Sequence, residues 1–224
     1  MHHYVVNSGL LQLMCLEPLN YKSIYLYFIG MWGKTGINCF VLITGYFMCK
    51  KEITLYKFLK LILEVEFYNI AIYFIFLITG YTGFSIGKLL WTFVPIHNIE
   101  TNFTSCYLIF FLFIPFLNIL VRNMTKKTHG LLVLLFLSIY TLWQIIPFVE
   151  IRLNYVTWFC ILYFIGSYIR LYPFKKDQNT KFWFYALFLS ITSAFISIIA
   201  ILLLNKYSGH IFSPFFWYMI LMQY

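Results

Sequence analysis

Residues 67–87 read Phe67-Tyr68-Asn69-Ile70-Ala71-Ile72-Tyr73-Phe74-Ile75-Phe76-Leu77-Ile78-Thr79-Gly80-Tyr81-Thr82-Gly83-Phe84-Ser85-Ile86-Gly87, a run without a single charge. Four charged residues, Lys57, Lys60, Glu64 and Glu66, stand just before it. A bilayer core of about 30 Å takes about 20 apolar residues of helix. The run is too long for a buried strand and too continuously apolar for a surface helix. Helix is the expected form because lipid offers backbone groups no partner. A membrane β-barrel would alternate polar and apolar residues in segments of about ten, which this run does not do. Comparable runs occupy residues 35–49, 105–121 (with Pro115 inside), 130–149, 153–169 and 182–204. The first extends backward across Lys34 to the aromatic stretch 24–32, and a further run begins at 211–224. The expected fold is therefore all-α. It is a polytopic transmembrane helical bundle of about six full spans with terminal stubs, and residues 1–224 form one integral membrane domain.

Composition agrees. Of 224 residues, 62% are hydrophobic, 23% aromatic and only 10% charged. An ordinary soluble domain carries about 25% charged residues. So few charges cannot cover a soluble surface, which excludes a soluble enzyme, a nucleic-acid-binding domain and a disordered chain. The net charge of +9 reads as an orientation signal. With segment 50–60 in the cytoplasm, alternation puts 122–129 and 170–181 there too. Together these hold 11 of the 16 basic residues: Lys50, Lys51, Lys57, Lys60, Arg122, Lys126, Lys127, Arg170, Lys175, Lys176 and Lys181. The other side receives Lys22, Lys34, Lys88, Arg152 and Lys206. The five cysteines have no metal-type spacing and read as apolar filler, so no metal site is expected. His97, His129 and His210 read as interfacial loop residues. Asn38 and Asn69 read as interhelical hydrogen-bonding groups, and Gly33, Gly36 and Gly45 as points of close helix approach.

Three stretches carry a resemblance. Gly36-Ile37-Asn38-Cys39-Phe40-Val41-Leu42-Ile43-Thr44-Gly45-Tyr46-Phe47 resembles the second-helix motif of the acyltransferase-3 family, Gly-Val-Asn-x-Phe-Val-x-Ile-Ser-Gly-Tyr-Phe. Tyr107, Pro115 and Asn118 resemble a pattern on a later helix, although Asn102 stands where that pattern opens with Trp. Tyr163-Phe164-Ile165-Gly166-Ser167-Tyr168-Ile169-Arg170 is similar to Tyr-x-x-Gly-x-Tyr-x-Arg. The opening Met1-His2-His3-Tyr4 resembles the end of the family's first helix, where a His closes an apolar run. The resemblance implies the second to seventh helices of a longer membrane protein, with the first helix and the C-terminal helices missing. The richness in Ile, Phe, Tyr, Asn and Lys suits an AT-rich bacterial genome.

Family members transfer acyl groups, often acetyl, to cell-surface polysaccharides. The resemblance therefore implies acyl-CoA (acetyl-CoA) as donor, a cell-surface polysaccharide as acceptor and no tightly bound cofactor. Such transfer needs a base for the hydroxyl proton, a held acyl donor and a stabilised oxyanion. His is suited to the base because it titrates near neutral pH. The alignment favours His3, with His2 beside it; the plain alternative is an exposed terminal pair without a task. Lys50, Lys51, Lys57 and Lys60 lie where the family holds acyl-CoA phosphates, although Lys lacks the bidentate geometry of Arg. Orientation alone also accounts for them. Asn38, Glu64, Tyr107 and Asn118 are expected to line the cavity; for Glu64 an i,i+4 pair with Lys60 is the simpler alternative. Direct transfer and relay through an acyl-enzyme both remain open. The rival readings are a polysaccharide exporter or transporter component, without visible inverted repeats, and an inactive truncated remnant.

Overall fold

The computed structural model describes residues 17, 19–30, 32–96, 102–142, 154–173 and 180–208. Among these the chain is all-helical. The elements are α1 (Tyr21–Gly30), α2 (Gly33–Met48), α3 (Leu55–Ile78), α4 (Ile86–Thr92), α5 (Phe103–Asn123), α6 (Lys126–Leu137), a π-helical turn (Ser138–Leu142), α7 (Tyr155–Leu171) and α8 (Thr180–Ser208). Among the described residues, four segments are long and apolar enough to cross a membrane: Tyr21–Met48, Leu55–Ile78, Phe103–Asn123 and Thr180–Ala200. They coincide with four of the six expected runs. The expected run 153–169 is the shorter apolar helix Tyr155–Leu171. The run expected at 130–149 is helical through Leu142, and its remainder lies outside the described residues.

The run at 67–87 is divided differently from its charge pattern. Its helix begins twelve residues earlier, at Leu55, and so takes in Lys57, Lys60 and Glu64. It stops at Thr79–Gly80, in the middle of the charge-free stretch. Gly80 adopts φ 71°, a left-handed conformation that glycine tolerates without a Cβ clash. Its N–H donates to the Leu77 carbonyl at 3.2 Å, and the Tyr81 N–H donates to Phe76 O at 3.0 Å. The Phe76 and Tyr81 rings meet at 5.2 Å between centroids. This is the Schellman stop with its apolar clasp, and it satisfies carbonyls that a helix end leaves unpaired. At 24 residues, α3 is about 36 Å long, enough to span without residues 79–87.

The chain forms two compact units, Met1–Phe40 with Pro173–Tyr224, and Val41–Tyr172. In the first, Tyr27 of α1 is buried with Ile198 and Leu202 of α8, and Leu26, Phe28 and Ala194 pack against them. In the second, α5 packs on α7, α7 on α6, and α3 on α5. The buried face of α5 carries Cys106, Phe110, Ile114, Leu117, Asn118 and Val121, a spacing of three and four residues that follows the helical period. Its other face exposes Leu112, Phe113, Phe116 and Leu120. No residue of α3 is buried, although Leu63, Phe67, Ile72 and Ile75 are large and apolar. Such surfaces suit lipid and not water.

Glycine sets the crossing of α2 and α7. A Cβ on Gly45 would stand 2.7 Å from the carbonyl oxygen of Tyr163. A Cβ on Gly166 would collide with the carbonyl of Leu42. Each helix thus gives up one side chain so that the two backbones touch. Of the glycines expected at close approaches, Gly45 takes that place, whereas a Cβ on Gly36 would meet open space. Gly45→Ala should lower stability by about 1–3 kcal/mol through overpacking. Gly36→Ala should change it by no more than about 1 kcal/mol, in the direction of greater stability. Thermal melting of both variants in detergent checks the pair; equal melting temperatures would contradict the crossing.

Candidate functional site

The three motif stretches meet in the unit spanning Val41–Tyr172. Thr44 of α2 shares a 3.2 Å hydrogen bond with the hydroxyl of Tyr107 on α5. The amide of Asn118, about three turns further along α5, donates to Met48 O and to Lys51 O, both at 3.1 Å. Its oxygen accepts from the Tyr163 hydroxyl of α7 at 2.6 Å. At the end of α7 the Arg170 guanidinium donates to the Tyr46 hydroxyl at 3.0 Å and lies 4.8 Å above the Tyr46 ring. These bonds tie α2, α5 and α7 together at residues belonging to all three stretches.

Asn118 was expected to line a cavity. It is buried, and its amide hydrogens hold the carbonyls at the end of α2 and in the following turn. Met48 O also accepts from Lys51 N at 3.0 Å, so Asn118 adds a second donor to the turn that closes α2. The same turn carries Lys50 and Lys51, so Asn118 fixes the backbone from which these two side chains extend. Tyr107 is half-buried in the same network. Asn38 is half-buried in the other unit. Glu64 lies outside the network, more than half exposed, and pairs with Lys60 at 3.9 Å. That i,i+4 pair is the simpler of the two readings given to Glu64, and at the surface it contributes about 0.3–0.5 kcal/mol. Lys50, Lys51, Lys57 and Lys60 are all exposed, and the Lys57 ammonium donates to Glu52 O at 2.7 Å. His2 and His3 lie outside the described residues.

Along the chain, only lysines stand as cations beside this turn. The fold adds arginines from distant positions. Arg170 reaches Tyr46 at 3.0 Å, and while burial pushes the Cys49 thiol pKa up, the charges of Lys50, Arg170 and Arg122 oppose that rise. The signal was in the sequence, since Arg122 and Arg170 each close a helix whose run could be counted. Their meeting point depended on packing.

Asn102, Thr125 and Asn154 cap the starts of α5, α6 and α7 with their side chains. Asn102 accepts from Thr104 N at 2.9 Å and Asn154 from Val156 N at 2.6 Å. Asn102 thus starts α5 in the ordinary way for an N-cap.

His129 corrects an expectation. It was read as an interfacial loop residue, but it sits in the first turn of α6 with no exposed surface. Thr125 caps that helix, so segment 122–129 supplies its start and little loop. His129 Nε2 donates to Phe164 O at 3.0 Å. Ser167 Oγ also donates to Phe164 O at 3.0 Å and lies 3.5 Å from the same ring nitrogen. Because a carbonyl only accepts, Nε2 carries the hydrogen and is no base toward Ser167. Phe164, Tyr168 and Tyr172 surround the ring edge-on. The i,i+7 spacing of His129 and Phe136, both against Phe164, was the available clue.

Comparison with family models, with curated proteins and with solved structures gives no match for this chain.

Two outcomes follow from this geometry. Tyr163→Phe leaves the Asn118 oxygen without its donor and should cost about 1–3 kcal/mol, read as a lowered melting temperature. An unchanged value would mean that the 2.6 Å bond carries nothing. Burial holds the His129 pKa below its usual 6.5, and the bond to Phe164 O opposes this only in part. The folded ring therefore resists the proton that the unfolded ring accepts. Stability is full above pH 6.5 and falls as the pH drops through and below that value. Melting between pH 7.5 and about 5 should show this decline in the wild type and a shallower one in His129→Gln. Parallel declines would refute the assignment.

Proposed function

We propose that this chain is a membrane-embedded acyltransferase-like protein that moves an acyl group, acetyl in the simplest case, from acyl-CoA to a hydroxyl of a cell-surface polysaccharide. The observation that carries this reading is the convergence of the three motif stretches. Thr44 and Gly45, Tyr107 and Asn118, and Tyr163, Gly166 and Arg170 lie far apart in sequence and touch in one packed unit. Motif residues that formed by chance in apolar helices would have no reason to share partners.

In this reading the donor approaches the basic end of the unit. Lys50, Lys51, Lys57 and Lys60, with Arg122 and Arg170, face the anionic phosphates of acyl-CoA. Asn118 and Tyr163 act as positioning residues that hold the Lys50–Lys51 turn. His3, with His2 beside it, takes the proton from the acceptor hydroxyl. The freed oxygen attacks the thioester carbonyl, a C–O bond forms, the C–S bond breaks, and CoA leaves with a proton as its thiol. The lysine-rich side is cytoplasmic by the distribution of basic residues.

Sealed vesicles of known sidedness test donor, base and orientation together. Labelled acetyl-CoA offered on the lysine-rich side should label polysaccharide on the opposite side, and His3→Ala should reduce this by about 100-fold or more. Absence of His3-dependent label would sink the acyltransferase reading. Label formed only from the other side would reverse the orientation.

A further inference from the structure

The α3–α4 corner holds a cleft of about 490 Å³ that the proposed reaction does not use. Its shape is set locally. The Tyr73 hydroxyl donates to Ser85 O at 3.3 Å and accepts from Ser85 N at 3.4 Å. These bonds fold the start of α4 back onto α3 after the turn at Gly80. Ile72 and Phe76 line one wall, and Lys88 and Trp91 of α4 the other. Asn69 projects into the same cleft.

Two of these side chains lack a partner. Asn69 is half-buried on a helix long and apolar enough to span a membrane, and was expected to bond a neighbouring helix. Among the described residues its amide has no hydrogen-bond partner, and the Lys88 ammonium has neither hydrogen bond nor ion pair. An amide at that depth is costly unless it faces a neighbour or a polar occupant. A cation beside an exposed Trp near a helix end belongs to the headgroup zone of a bilayer. The cleft therefore joins one positive charge, one unused amide and an apolar wall along a membrane helix.

We propose that this cleft binds the phosphate headgroup of an anionic phospholipid. Lys88 meets the phosphate charge, Asn69, deeper along α3, hydrogen-bonds an acyl-ester oxygen, and Ile72 and Phe76 line the wall beside the lipid's glycerol. The apolar wall favours a lipid over a soluble anion. This inference is independent of the acyltransferase reading.

The test uses the full chain in detergent with photoreactive phosphatidylglycerol or photoreactive phosphatidylcholine, followed by mapping of labelled peptides. Phosphatidylglycerol should label the peptide spanning α3 and α4 more strongly than phosphatidylcholine does. Lys88→Gln should lower that labelling about fivefold, while Lys88→Arg should keep it. Asn69→Leu should lower it without lowering the melting temperature, which separates binding from a structural role. Lys127→Gln, an exposed lysine of α6, should leave it unchanged. Equal labelling by the two lipids, or full labelling of Lys88→Gln, would overturn the proposal. So would competition by inorganic phosphate or soluble glycan in place of unlabelled phosphatidylglycerol.

Discussion

The amide of Asn118 is the tie on which the unit Val41–Tyr172 depends. A helix leaves its last carbonyls unpaired, and in a dry surrounding each of them costs free energy unless something donates to it. Asn118 gives its two N–H groups to Met48 O and Lys51 O, and its oxygen is occupied by the Tyr163 hydroxyl. Every hydrogen-bonding direction of the side chain is then in use or filled by close packing. One residue of α5 thereby fixes where α2 ends and where α7 lies. Such a bond is possible only because Gly45 and Gly166 let the backbones of α2 and α7 approach.

The same unit buries polar groups inside an apolar core while leaving large apolar side chains outside. Its interior holds Ser105, Asn118, His129 and Ser167, while phenylalanines and leucines of α3 and α5 lie on the outside. In water this arrangement would drive aggregation. In lipid there is little hydrophobic gain from burying another leucine, so helix contacts rest on close packing, small residues and hydrogen bonds. His129 belongs to this pattern. Its donor is committed to Phe164 O, and three aromatic edges close around it.

Much of the candidate site was legible as residues and little of it as geometry. Gly45, Tyr107, Asn118, Tyr163 and Arg170 could be picked out from the stretches that carry the family resemblance. The partner of each could not. Thr44–Tyr107 and Asn118–Tyr163 join positions 63 and 45 residues apart, and nothing in hydropathy encodes which faces of two apolar helices meet. Glu64 shows the opposite case. The i,i+4 spacing to Lys60 was visible in the sequence, and the local helix realises it. The shift of the run at 67–87 has a comparable origin. Charge counting saw an unbroken stretch, whereas the Thr79-Gly80 step ends the helix through backbone geometry that hydropathy ignores.

The sequence by itself determined that the chain is helical, apolar on almost every face and asymmetric in its basic residues. These properties follow from composition and from the length of each run, because a lipid solvent requires internally bonded backbone whatever the neighbours are. The tertiary structure alone decided which polar groups meet. It set the Asn118 amide on the carbonyls at the end of α2, moved His129 from a loop into the core, and laid the Arg170 guanidinium on Tyr46. The physical reason is that helices with apolar residues all round carry no face label in their hydropathy. Only the fit of glycine against backbone, and of donor against acceptor, selects one packing from many.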